Sequence, residues 1–507
     1  MMAAPHSDKN VTLADLFGDM VPAAIAHRTV PDIFSDSRFS TDGGLFLARQ
    51  GHDSHGLDYL GEALRRGAAF AAWEPAPGAE VPQLTGNIVC FPVHGLGARM
   101  GGIADRFFGT PSANMEVVGV TGTNGKTSCT NLLAQALEIC DRPSGVIGTL
   151  GSGRTGHLSQ PGLTTPDVID VHRILANIRE TQGEVVAMEV SSHALDQSRV
   201  DGVRFKVAAF TNLSRDHLDY HGTMEDYAQA KRRLFETPGL EYAVINGDDP
   251  VGASLLEEPP PGVVTVCVSR GAQVRGDHHV TITATHCESA GLSIEFDTSW
   301  GKGRLDSHLW GEFNADNLAL TLAVLLTLGV SFKEALSALS GIHAPAGRLE
   351  VFKAAVEGSE LASVVVDYAH TPDALAKALQ ALRTHTSGKI WCVFGCGGER
   401  DSGKRPQMGA VAESLADVVI VTDDNPRGED PADIRRQVLE GAPQAREIGG
   451  RREAILAAIA EAGAEDIVLV AGKGHETGQI IGSGDNMRVL PFDDVDVARE
   501  CVAEVAR

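Results

Sequence analysis

Residues 119 to 128, GVTGTNGKTS, have the composition of a loop that binds phosphate. Gly122 and Gly125 let the backbone approach a phosphate closely and point N–H groups at its oxygens. Lys126 supplies a cation for the outer phosphates of a nucleotide, and the Thr127 hydroxyl can ligate Mg²⁺. The run predicts a nucleotide site. The alternative is an ordinary strand-to-helix turn with a chance Gly-Lys-Thr.

Two polar runs further along the chain carry groups that bind cations. Glu189 ends a strand-like run, where its carboxylate could complete the Mg²⁺ shell that Thr127 begins. The run TNLSRDHLDYHG favours a cation site or a charged substrate pocket, although a polar loop that caps the next helix is the alternative. Lys231 follows on a predicted helix among small and apolar neighbours, where a surface lysine is the default. The titratable residues of the polar run are Asp216, His217, Asp219 and His221.

A third group of polar residues follows a short apolar strand, Val418 to Val421, in the run VVIVTDDNPRGED. Arg427 can bind a carboxylate through two parallel hydrogen bonds, and Asp424 can accept one from an ammonium. Asn425 can do either. These residues indicate a pocket for a ligand that carries both a carboxylate and an ammonium. The alternative is a turn in which Pro426 fixes φ and Arg427 lies in solvent or in a surface ion pair.

Composition limits the classes of protein that fit this chain. Its 507 residues are enough for about three domains, and 43% of them are hydrophobic, as in ordinary globular proteins. The formal net charge of −24 argues against nonspecific binding to nucleic acid or to acidic lipid. The eight cysteines lack CxxC spacing and are expected to be reduced. Without a signal peptide or an apolar run of about 20 residues, we expect a cytoplasmic protein.

Short β-type runs alternate with helical patterns along most of the chain, which predicts an α/β fold. The last third has the pattern of a doubly wound sheet, whose ligands collect at the carboxyl ends of the strands. Helices are predicted at Leu318 to Leu328 and at Arg452 to Ala462. The predicted strands are Met115 to Val120, Glu184 to Val190, Val207 to Phe210, Tyr242 to Asn246, Ser363 to Val366, Lys389 to Phe394, Val418 to Val421 and Ile467 to Val470.

Several ordered motifs together resemble the Mur ligase family, whose members add amino acids to the peptide of bacterial cell-wall precursors. The motifs are TGTNGKT, MEVSSHALDQSRV, DHLDYH followed by YAQAKRRLF, and DYAHTPDAL. The family's phosphate loop also explains Val120, which stands where the common GxxxxGK spacing has glycine. The runs GCGGERDSGKRPQMG, DNPR and GKGHETGQ resemble the branch that adds meso-diaminopimelate to UDP-N-acetylmuramoyl-L-alanyl-D-glutamate.

The resemblance implies three α/β domains. An N-terminal UDP-binding domain is expected at 1–113. A central phosphate-loop ATPase domain with a mainly parallel sheet is expected at 114–344. A C-terminal Rossmann-like, doubly wound domain that binds the incoming amino acid is expected at 345–507. The expected cofactors are ATP, two Mg²⁺ ions and a carbamate that CO₂ forms on a lysine. A monomer is expected, with small-molecule substrates and no nucleic-acid or membrane partner.

The resemblance also assigns site residues. Those implied for ATP are Gly122, Thr123, Asn124, Gly125, Lys126, Thr127, Asn317, Arg348, Asp367 and His370. Those implied for metal are Thr127, Glu189, His217 and carbamylated Lys231. Those implied for the UDP-muramoyl dipeptide are Ser37, Arg38, Gly51, His52, Asp53, Thr164, Thr165, Ser191, Gln197 and Arg199. Those implied for diaminopimelate are Arg400, Asp424, Asn425, Pro426, Arg427, Gly472 and Glu476.

The implied reaction is an ATP-dependent amide ligation. Phosphorylation turns a poorly electrophilic carboxylate into an acyl phosphate, which the amine then attacks. Three alternatives stay open at this point: the same reaction with L-lysine, a ligase similar to folylpolyglutamate synthase, and a nucleotide-dependent scaffold without ligase chemistry.

Overall fold

The computed structural model describes residues 11–51, 54–83, 86, 88–159, 162–271, 276–352, 355–356 and 359–506. The chain forms two compact units, one comprising Met1–Cys267 and Arg275–His278, the other Val268–Val274 and His279–Arg507. The predicted α/β class, with mainly parallel sheets, is confirmed. None of the described helices is long and apolar enough to cross a membrane. All eight cysteines are free.

A small parallel sheet of four strands begins the first unit, in the order β1-β2-β3-β4. Helices α1 to α3 accompany it, and buried residues such as Leu45, Phe91 and Ile103 form its core. The strands are β1 Ile33–Phe34, β2 Leu45–Ala48, β3 Phe70–Trp73 and β4 Val89–Pro92. The helices are α1 Leu13–Phe17, α2 Leu60–Arg65 and α3 Leu96–Phe107.

A second sheet carries the phosphate loop, and its first-unit strands lie in the order β12-β11-β10-β5-β9-β6-β7-β8. Strands β11, β10, β5, β9 and β6 run parallel. The strands are β5 Glu116–Thr121, β6 Ser144–Gly148, β7 Gly151–Arg154, β8 His157–Leu158, β9 Val185–Glu189, β10 Val207–Phe210, β11 Tyr242–Asn246 and β12 Val264–Ser269. The helices are α4 Lys126–Ile139, α5 Val168–Glu180, α6 Ser192–Asp196, α7 Leu218–His221, α8 Met224–Arg232 and α9 Pro250–Glu257.

This strand order fixes where the phosphate loop lies. Strand β5 is flanked by β9 and β10, both parallel to it, so the carboxyl ends of all three strands meet at one edge. From β5 the chain continues through α4 to β6 on one side, and after β9 it continues through α6 to β10 on the other side of β5. Such a reversal of direction leaves a crevice for a ligand. Glu189 ends β9 at this edge, and residues 211–217 follow β10 there.

The second unit begins with an antiparallel meander and two helices. Strand β14 pairs with both β13 and β15. Helix α10 is buried on almost every face, as expected for the apolar run predicted there. The strands are β13 His278–Glu288, β14 Gly291–Thr298 and β15 Gly301–Ser307, and the helices are α10 Phe313–Thr327 and α11 Phe332–Ser340.

The rest of the second unit is a doubly wound sheet in the order β16-β19-β23-β20-β21-β22, in which only the edge strand β16 is antiparallel. Two hairpins, β17–β18 and β24–β25, are separate. The strands are β16 Glu350–Phe352, β17 Ala355–Val356, β18 Ser359–Glu360, β19 Ser363–Asp367, β20 Ile390–Phe394, β21 Val418–Val421, β22 Arg446–Glu447, β23 Ile467–Ala471, β24 Gly478–Ile481 and β25 Arg488–Pro491. The helices are α12 Pro372–Arg383, α13 Lys404–Leu415, α14 Pro431–Leu439, α15 Arg451–Glu461 and α16 Asp494–Val505.

Alternation along the central strands explains why helices cover both faces of this sheet. In β20, Ile390, Cys392 and Phe394 join one apolar cluster, whereas Trp391 and Val393 join the cluster on the opposite face. Successive side chains of a strand point to opposite faces, so a wholly apolar strand needs cover on both. Because β19, β23, β20 and β21 run parallel, their carboxyl ends lie at one edge of the sheet.

Candidate active site

The phosphate loop joins β5 to α4 and is shaped by two glycines with positive φ. Gly122 has φ +147, and a Cβ there would lie 1.9 Å from Thr211 Oγ1, so no larger residue fits without movement. Gly125 has φ +86 and immediately precedes α4. The N–H groups of the first helical turn have no partner within the helix, which makes this end suitable for an anion.

Lys126 lies folded back over the loop. Its Nζ donates to the carbonyl oxygens of Gly122 at 2.8 Å and Thr123 at 2.9 Å. The loop itself is tied to the chain beyond β10, because Thr123 N donates to Asn212 O at 2.8 Å and Asn124 N donates to Asn212 Oδ1 at 3.0 Å. The predicted nucleotide residues of the loop are thus held together, with the lysine ammonium over them.

Glu189 gathers three donors around its carboxylate. Thr127 Oγ1 donates to Oε2 at 2.9 Å, and Thr149 donates from its backbone N to Oε1 at 2.8 Å and from Oγ1 to Oε2 at 3.2 Å. The side chain is almost fully buried. The structure therefore brings together two of the predicted Mg²⁺ ligands, Thr127 and Glu189, with oxygen atoms of the hard type that Mg²⁺ prefers.

Lys231 is buried, which differs from the surface lysine that composition alone favours. Its Nζ donates to Gly122 O at 2.8 Å and lies 4.6 Å from the ring centroid of Tyr227. Burial, and then the charge of Lys126, lower the pKa of the Lys231 ammonium well below its usual value. A neutral amine is the form that reacts with CO₂, so this environment suits the predicted carbamylation.

His217 also lies near Tyr227. The ring centroids of His217 and Tyr227 are 6.1 Å apart, and His193 is 4.9 Å from His217. No hydrogen bond joins His217 to Lys231 in the described part of the chain. Among those residues no group of three or more His, Cys, Asp or Glu side chains is arranged to hold a metal ion. Of the predicted metal residues, Thr127 and Glu189 are therefore joined by a hydrogen bond, whereas Lys231 and His217 each lie near the Tyr227 ring.

The residues predicted for the muramoyl dipeptide form a chain of contacts that ends at Glu189. Thr165 Oγ1 donates to Glu189 O at 2.8 Å and accepts from Ser191 N at 3.1 Å. Arg199 donates to Thr165 O at 3.0 Å and, through Nη2, to Gln197 Oε1 at 2.6 Å. Burial lowers the pKa of the Arg199 guanidinium. Thr164 joins the same chain, since its hydroxyl is 3.1 Å from Thr149 Oγ1.

The residues predicted for the UDP end do not form such a chain of contacts with one another among the described residues. Ser37 Oγ donates to Glu62 Oε2 at 2.7 Å, and Arg38, whose side chain is 71% exposed, pairs with Asp36. Gly51 accepts from Gln50 Nε2 at 3.0 Å. The remaining two predicted residues, His52 and Asp53, lie outside the described residues.

Ser35, which the sequence did not single out, connects the loop after β1 to Asp167, two residues beyond Thr165. Its Oγ donates to Asp167 Oδ1 at 3.1 Å, and Asp167 also caps the first turn of α5. The run TTPD was visible in the sequence, and an aspartate after proline at the start of a helical pattern is a recognisable capping signal.

Within the second unit, three residues predicted for the nucleotide meet at the end of β19. Asp367 accepts from Leu349 N and Ala369 N, both at 2.9 Å. Burial raises the pKa of its carboxyl, and the Arg348 charge opposes this. The Arg348 guanidinium lies 4.8 Å from the Tyr368 ring centroid, and the His370 ring is 4.6 Å from the same ring.

Asn317, the fourth nucleotide residue predicted in this unit, lies on α10. It is buried, and its Nδ2 donates to Asn314 Oδ1 at 2.9 Å.

Burial lowers the pKa of the imidazole of His370, the residue whose ring lies beside Tyr368, which favours its neutral form.

The residues predicted for the incoming amino acid converge at the ends of β21 and β23. Asn425 Nδ2 donates to Glu476 Oε2 at 2.7 Å, which joins the DNPR loop to the GKGHE loop. A Cβ on Gly472, whose φ is +120, would lie 3.3 Å from Asp424 Oδ2. Asp424 is buried, and its Oδ1 has no hydrogen-bond partner in the described residues.

Arg427 does not pair with the aspartates that precede it. Its Nη1 donates to Gly398 O at 2.8 Å, whereas Asp423 pairs with Arg435 and Asp424 lies 3.7 Å from Lys473 Nζ. The φ of Arg427 is +51, and the backbone is held by its N–H to Ile480 O at 3.0 Å. A side chain in this left-handed conformation costs about 1 kcal/mol or more, so the surrounding contacts must maintain it.

Two further predicted residues flank Arg427. Pro426, directly before it, is buried, and a Cβ on Gly398 would lie 1.9 Å from its carbonyl oxygen. Arg400 is exposed on the loop after β20, where its Cγ is 3.9 Å from the Cβ position of Gly397.

Sequence reasoning missed four side chains that connect the predicted ones. Thr149 donates to Glu189, and Tyr227 lies near both Lys231 and His217. Tyr368 lies beside Arg348, and Lys473 contacts both Asn425 and Glu476. Tyr227, Tyr368 and Lys473 stand inside the motifs already recognised, YAQAK, DYAHTP and GKGHE, so their position was visible although their role was not. Thr149 lies in GTLGSG, which gave no such signal.

Comparison with known proteins covers both the sheet that carries the phosphate loop and the sheet that carries the DNPR loop. The family model for the Mur ligase middle domain matches residues 120–325, and the model for the Mur ligase glutamate ligase domain matches 347–474. A relative from Coxiella burnetii, named UDP-N-acetylmuramoyl-L-alanyl-D-glutamate--2,6-diaminopimelate ligase, is 43% identical over 97% of this chain and 99% of its own length. The chain belongs to the Mur ligase family.

Other members of the family resemble this Mur ligase over a similar extent. A relative with the same name from Alkalilimnicola ehrlichii is 46% identical over 94% of this chain and 95% of its own. A solved structure of a UDP-N-acetylmuramoyl-L-alanyl-D-glutamate--2,6-diaminopimelate ligase is 32% identical, with a TM-score of 0.73, and covers 98% of this chain and 100% of the other. The predicted family and fold are thus confirmed.

Proposed function

We propose that this Mur ligase uses ATP to join meso-diaminopimelate to the D-glutamate γ-carboxylate of UDP-N-acetylmuramoyl-L-alanyl-D-glutamate, in the cytoplasmic synthesis of peptidoglycan precursors. The observation that carries the proposal is the convergence of Asp424, Asn425, Glu476 and Arg427 on one edge of the C-terminal sheet, in a chain similar along its length to ligases named for this substrate. These side chains offer both acceptors for an ammonium and donors for a carboxylate.

The phosphate loop supports the energy-supplying step. The γ-phosphoryl group moves from ATP to a carboxylate oxygen, and ADP leaves. The amine then attacks the acyl carbon, phosphate leaves, and the nitrogen loses a proton. Because the transferring group carries dispersed negative charge, positioning and charge neutralisation are the protein's main contributions. Lys126 and the N–H groups at the start of α4 supply positive charge at this place.

The carboxylate of Glu189 and the hydroxyl of Thr127 are proposed for a Mg²⁺ ion, since both supply oxygen and these oxygens lie 2.9 Å apart. His217 and carbamylated Lys231 are the proposed ligands of a second ion. When bound, the ions would neutralise phosphate charge during transfer. Addition of CO₂ to the neutral Lys231 amine forms a carbamate and releases a proton, which places an anion beside the loop.

The contacts of Thr165, Ser191 and Arg199 support a role in holding the dipeptide. Because they connect to Glu189, a dipeptide held there lies close to the phosphate loop. Ser37, Arg38, His52 and Asp53 are proposed for the UDP end. The proposed domains remain 1–113, 114–344 and 345–507, in a monomer.

L-lysine is the principal alternative acceptor, because it differs from diaminopimelate only by lacking the distal carboxylate. The cationic Arg427 favours diaminopimelate, since a buried or half-buried arginine without an anionic partner is costly. A pteridine substrate, as in a ligase similar to folylpolyglutamate synthase, would not require Arg427. A scaffold without ligase chemistry would not require Lys126, Glu189, His217 and Lys231 together.

The experiment that tests the proposal supplies ATP, Mg²⁺ and the UDP-muramoyl dipeptide with each amino acid and measures phosphate release. We expect turnover with meso-diaminopimelate and little with L-lysine. A preference for lysine would overturn the assignment of the acceptor. No ADP formation with the complete substrate set would overturn the ligase function.

A further inference from the structure

Lys473 is a lysine without exposed surface at the centre of the acceptor edge. Its Nζ donates to Asn425 Oδ1 at 3.0 Å, to Gly478 O at 2.7 Å and to Glu476 Oε2 at 3.3 Å. An ammonium group has three hydrogens and no acceptor. These three contacts therefore use its whole hydrogen-bonding capacity and leave none for a substrate.

The contacts of Asn425 determine which way its amide faces. Lys473 can only donate, so the atom that faces it must be the amide oxygen. The backbone N of Ile480 donates to the same oxygen at 2.9 Å. Both lone pairs of Oδ1 are then used, and the NH₂ group faces Glu476. Asn425 can therefore serve a substrate only as a hydrogen-bond donor, which suits a carboxylate and excludes an ammonium.

Lys473 also balances charge at this edge. Two carboxylates, Asp424 and Glu476, lie 3.7 Å and 3.3 Å from its ammonium. These three side chains together carry one net negative charge, which an ammonium of the substrate can neutralise. Without Lys473, two carboxylates would compete for that ammonium, and Asp424 would lose the lysine charge that faces its Oδ1.

The loops that carry these residues are connected independently of Lys473. Arg451 donates to Asp423 O at 3.3 Å and to Ala471 O at 3.0 Å, and it forms a buried ion pair with Asp494 at 2.6 Å. Arg451 thus joins the backbone at the ends of β21 and β23, whereas Lys473 contacts the side chains. Removing the Lys473 ammonium should therefore disturb the pocket more than the fold.

We propose that Lys473 is a positioning residue for the acceptor amino acid, which orients the Asn425 amide as a donor and holds the Glu476 carboxylate beside it. The inference rests on the proposed function, because it names how the pocket distinguishes the two ends of a zwitterion. Lys473 contacts no reacting atom, and its effect is transmitted by Asn425 and Glu476.

The test compares steady-state kinetics of Lys473→Met with those of the unaltered enzyme, with the three substrates varied in turn. Methionine has similar length and no charge. We expect KM for meso-diaminopimelate to rise about 10- to 100-fold, the effect of losing hydrogen bonds to a charged group. KM for ATP and for the UDP-muramoyl dipeptide should stay within about twofold. Lys377→Met, on the surface of α12 and paired with Asp373, is the matched control and should change none of these constants.

A double-mutant cycle separates positioning from general destabilisation. If Lys473 acts through Asn425, then Lys473→Met combined with Asn425→Ala should cost less than the product of the two single effects. Independent, multiplicative effects would overturn the proposal. Lys473→Arg keeps the charge. It should raise KM for meso-diaminopimelate only, and by a smaller factor than Lys473→Met does. It replaces Lys473→Met in the test if the methionine variant fails to fold.

The two proposals fail in different ways. An unaltered enzyme that does not use meso-diaminopimelate would overturn the proposed function. An unaltered enzyme that uses it, with variants whose acceptor KM is unchanged or whose three KM values rise equally, would overturn only the role of Lys473.

Discussion

Replacing Arg427 by methionine tests the basis of acceptor selection most directly. The backbone at this position has φ +51 and is held by Ile480 O and by Gly482 N, which donates to Arg427 O at 2.7 Å. Methionine also has a Cβ, so the backbone cost of the left-handed conformation is the same in both proteins. The substitution therefore removes the guanidinium and little else.

The expected magnitude follows from the way the guanidinium is held. One nitrogen, Nη1, donates to Gly398 O at 2.8 Å, which fixes the plane of the group. Two parallel hydrogen bonds to a substrate carboxylate contribute about 1.5–3 kcal/mol each, and the side chain is half-buried, so we take about 3 kcal/mol for both. At 1.4 kcal/mol per factor of ten, this is about a 100-fold loss. Arg427→Lys keeps the charge without the fork and should lose about 10-fold.

The assay measures phosphate release with meso-diaminopimelate and, separately, with L-lysine. Lysine has no distal carboxylate, so its poor use should be almost unaffected by Arg427→Met, and the discrimination between the two acceptors should collapse. Arg436→Met, on the exposed side of α14 and paired with Asp433, is the control and should change neither acceptor.

Two results would refute this reasoning. If KM for meso-diaminopimelate changes by less than about threefold in Arg427→Met, the guanidinium does not bind the distal carboxylate. If both acceptors lose activity equally, the arginine supports the loop and does not select the substrate.

Three further predictions concern the first unit. Lys126→Ala should abolish ADP formation while the melting temperature stays within a few degrees, and retained turnover would remove the nucleotide assignment. Depletion of CO₂ should inactivate the enzyme and remove the mass of one CO₂ from Lys231, with bicarbonate rescuing the unaltered enzyme and not Lys231→Ala; full activity without CO₂ would contradict this. His172 is buried with its Nε2 3.0 Å from Asp201 O, and burial lowers the pKa of its imidazole. In the unfolded chain His172 is protonated below about pH 6.5, whereas in the native state it stays neutral to lower pH. The free energy of unfolding should therefore fall as pH drops below about 6.5. Melting temperatures at pH 7.5 and 5.5 should differ less for His172→Gln than for the unaltered protein; an equal difference would exclude His172 as the cause.

The sequence alone determined the fold class and most elements of the two large sheets. Val207–Phe210, Tyr242–Asn246 and Val418–Val421 are strands with the predicted bounds, and the other predicted strands differ by one residue at one end or at both. Short apolar runs bounded by polar residues and glycine specify such strands locally, because each run must be covered on both faces. The phosphate loop was equally evident from the run GVTGTNGKTS. The structure adds the reason for Gly122, whose φ and surroundings leave no room for a side chain.

The tertiary structure alone decided how side chains distant in sequence act on one another. Thr127 meets Glu189 across 62 positions, and Lys473 meets Asn425 across 48. No local pattern encodes these pairs, because parallel strands bring together residues separated by whole crossover helices. The sequence left Asn425 able to donate or accept, and only the two donors that converge on its oxygen restrict it to donation. Hydrogen-bonding direction and the pKa of a buried group depend on neighbours in space, and those neighbours are fixed only when the chain has folded.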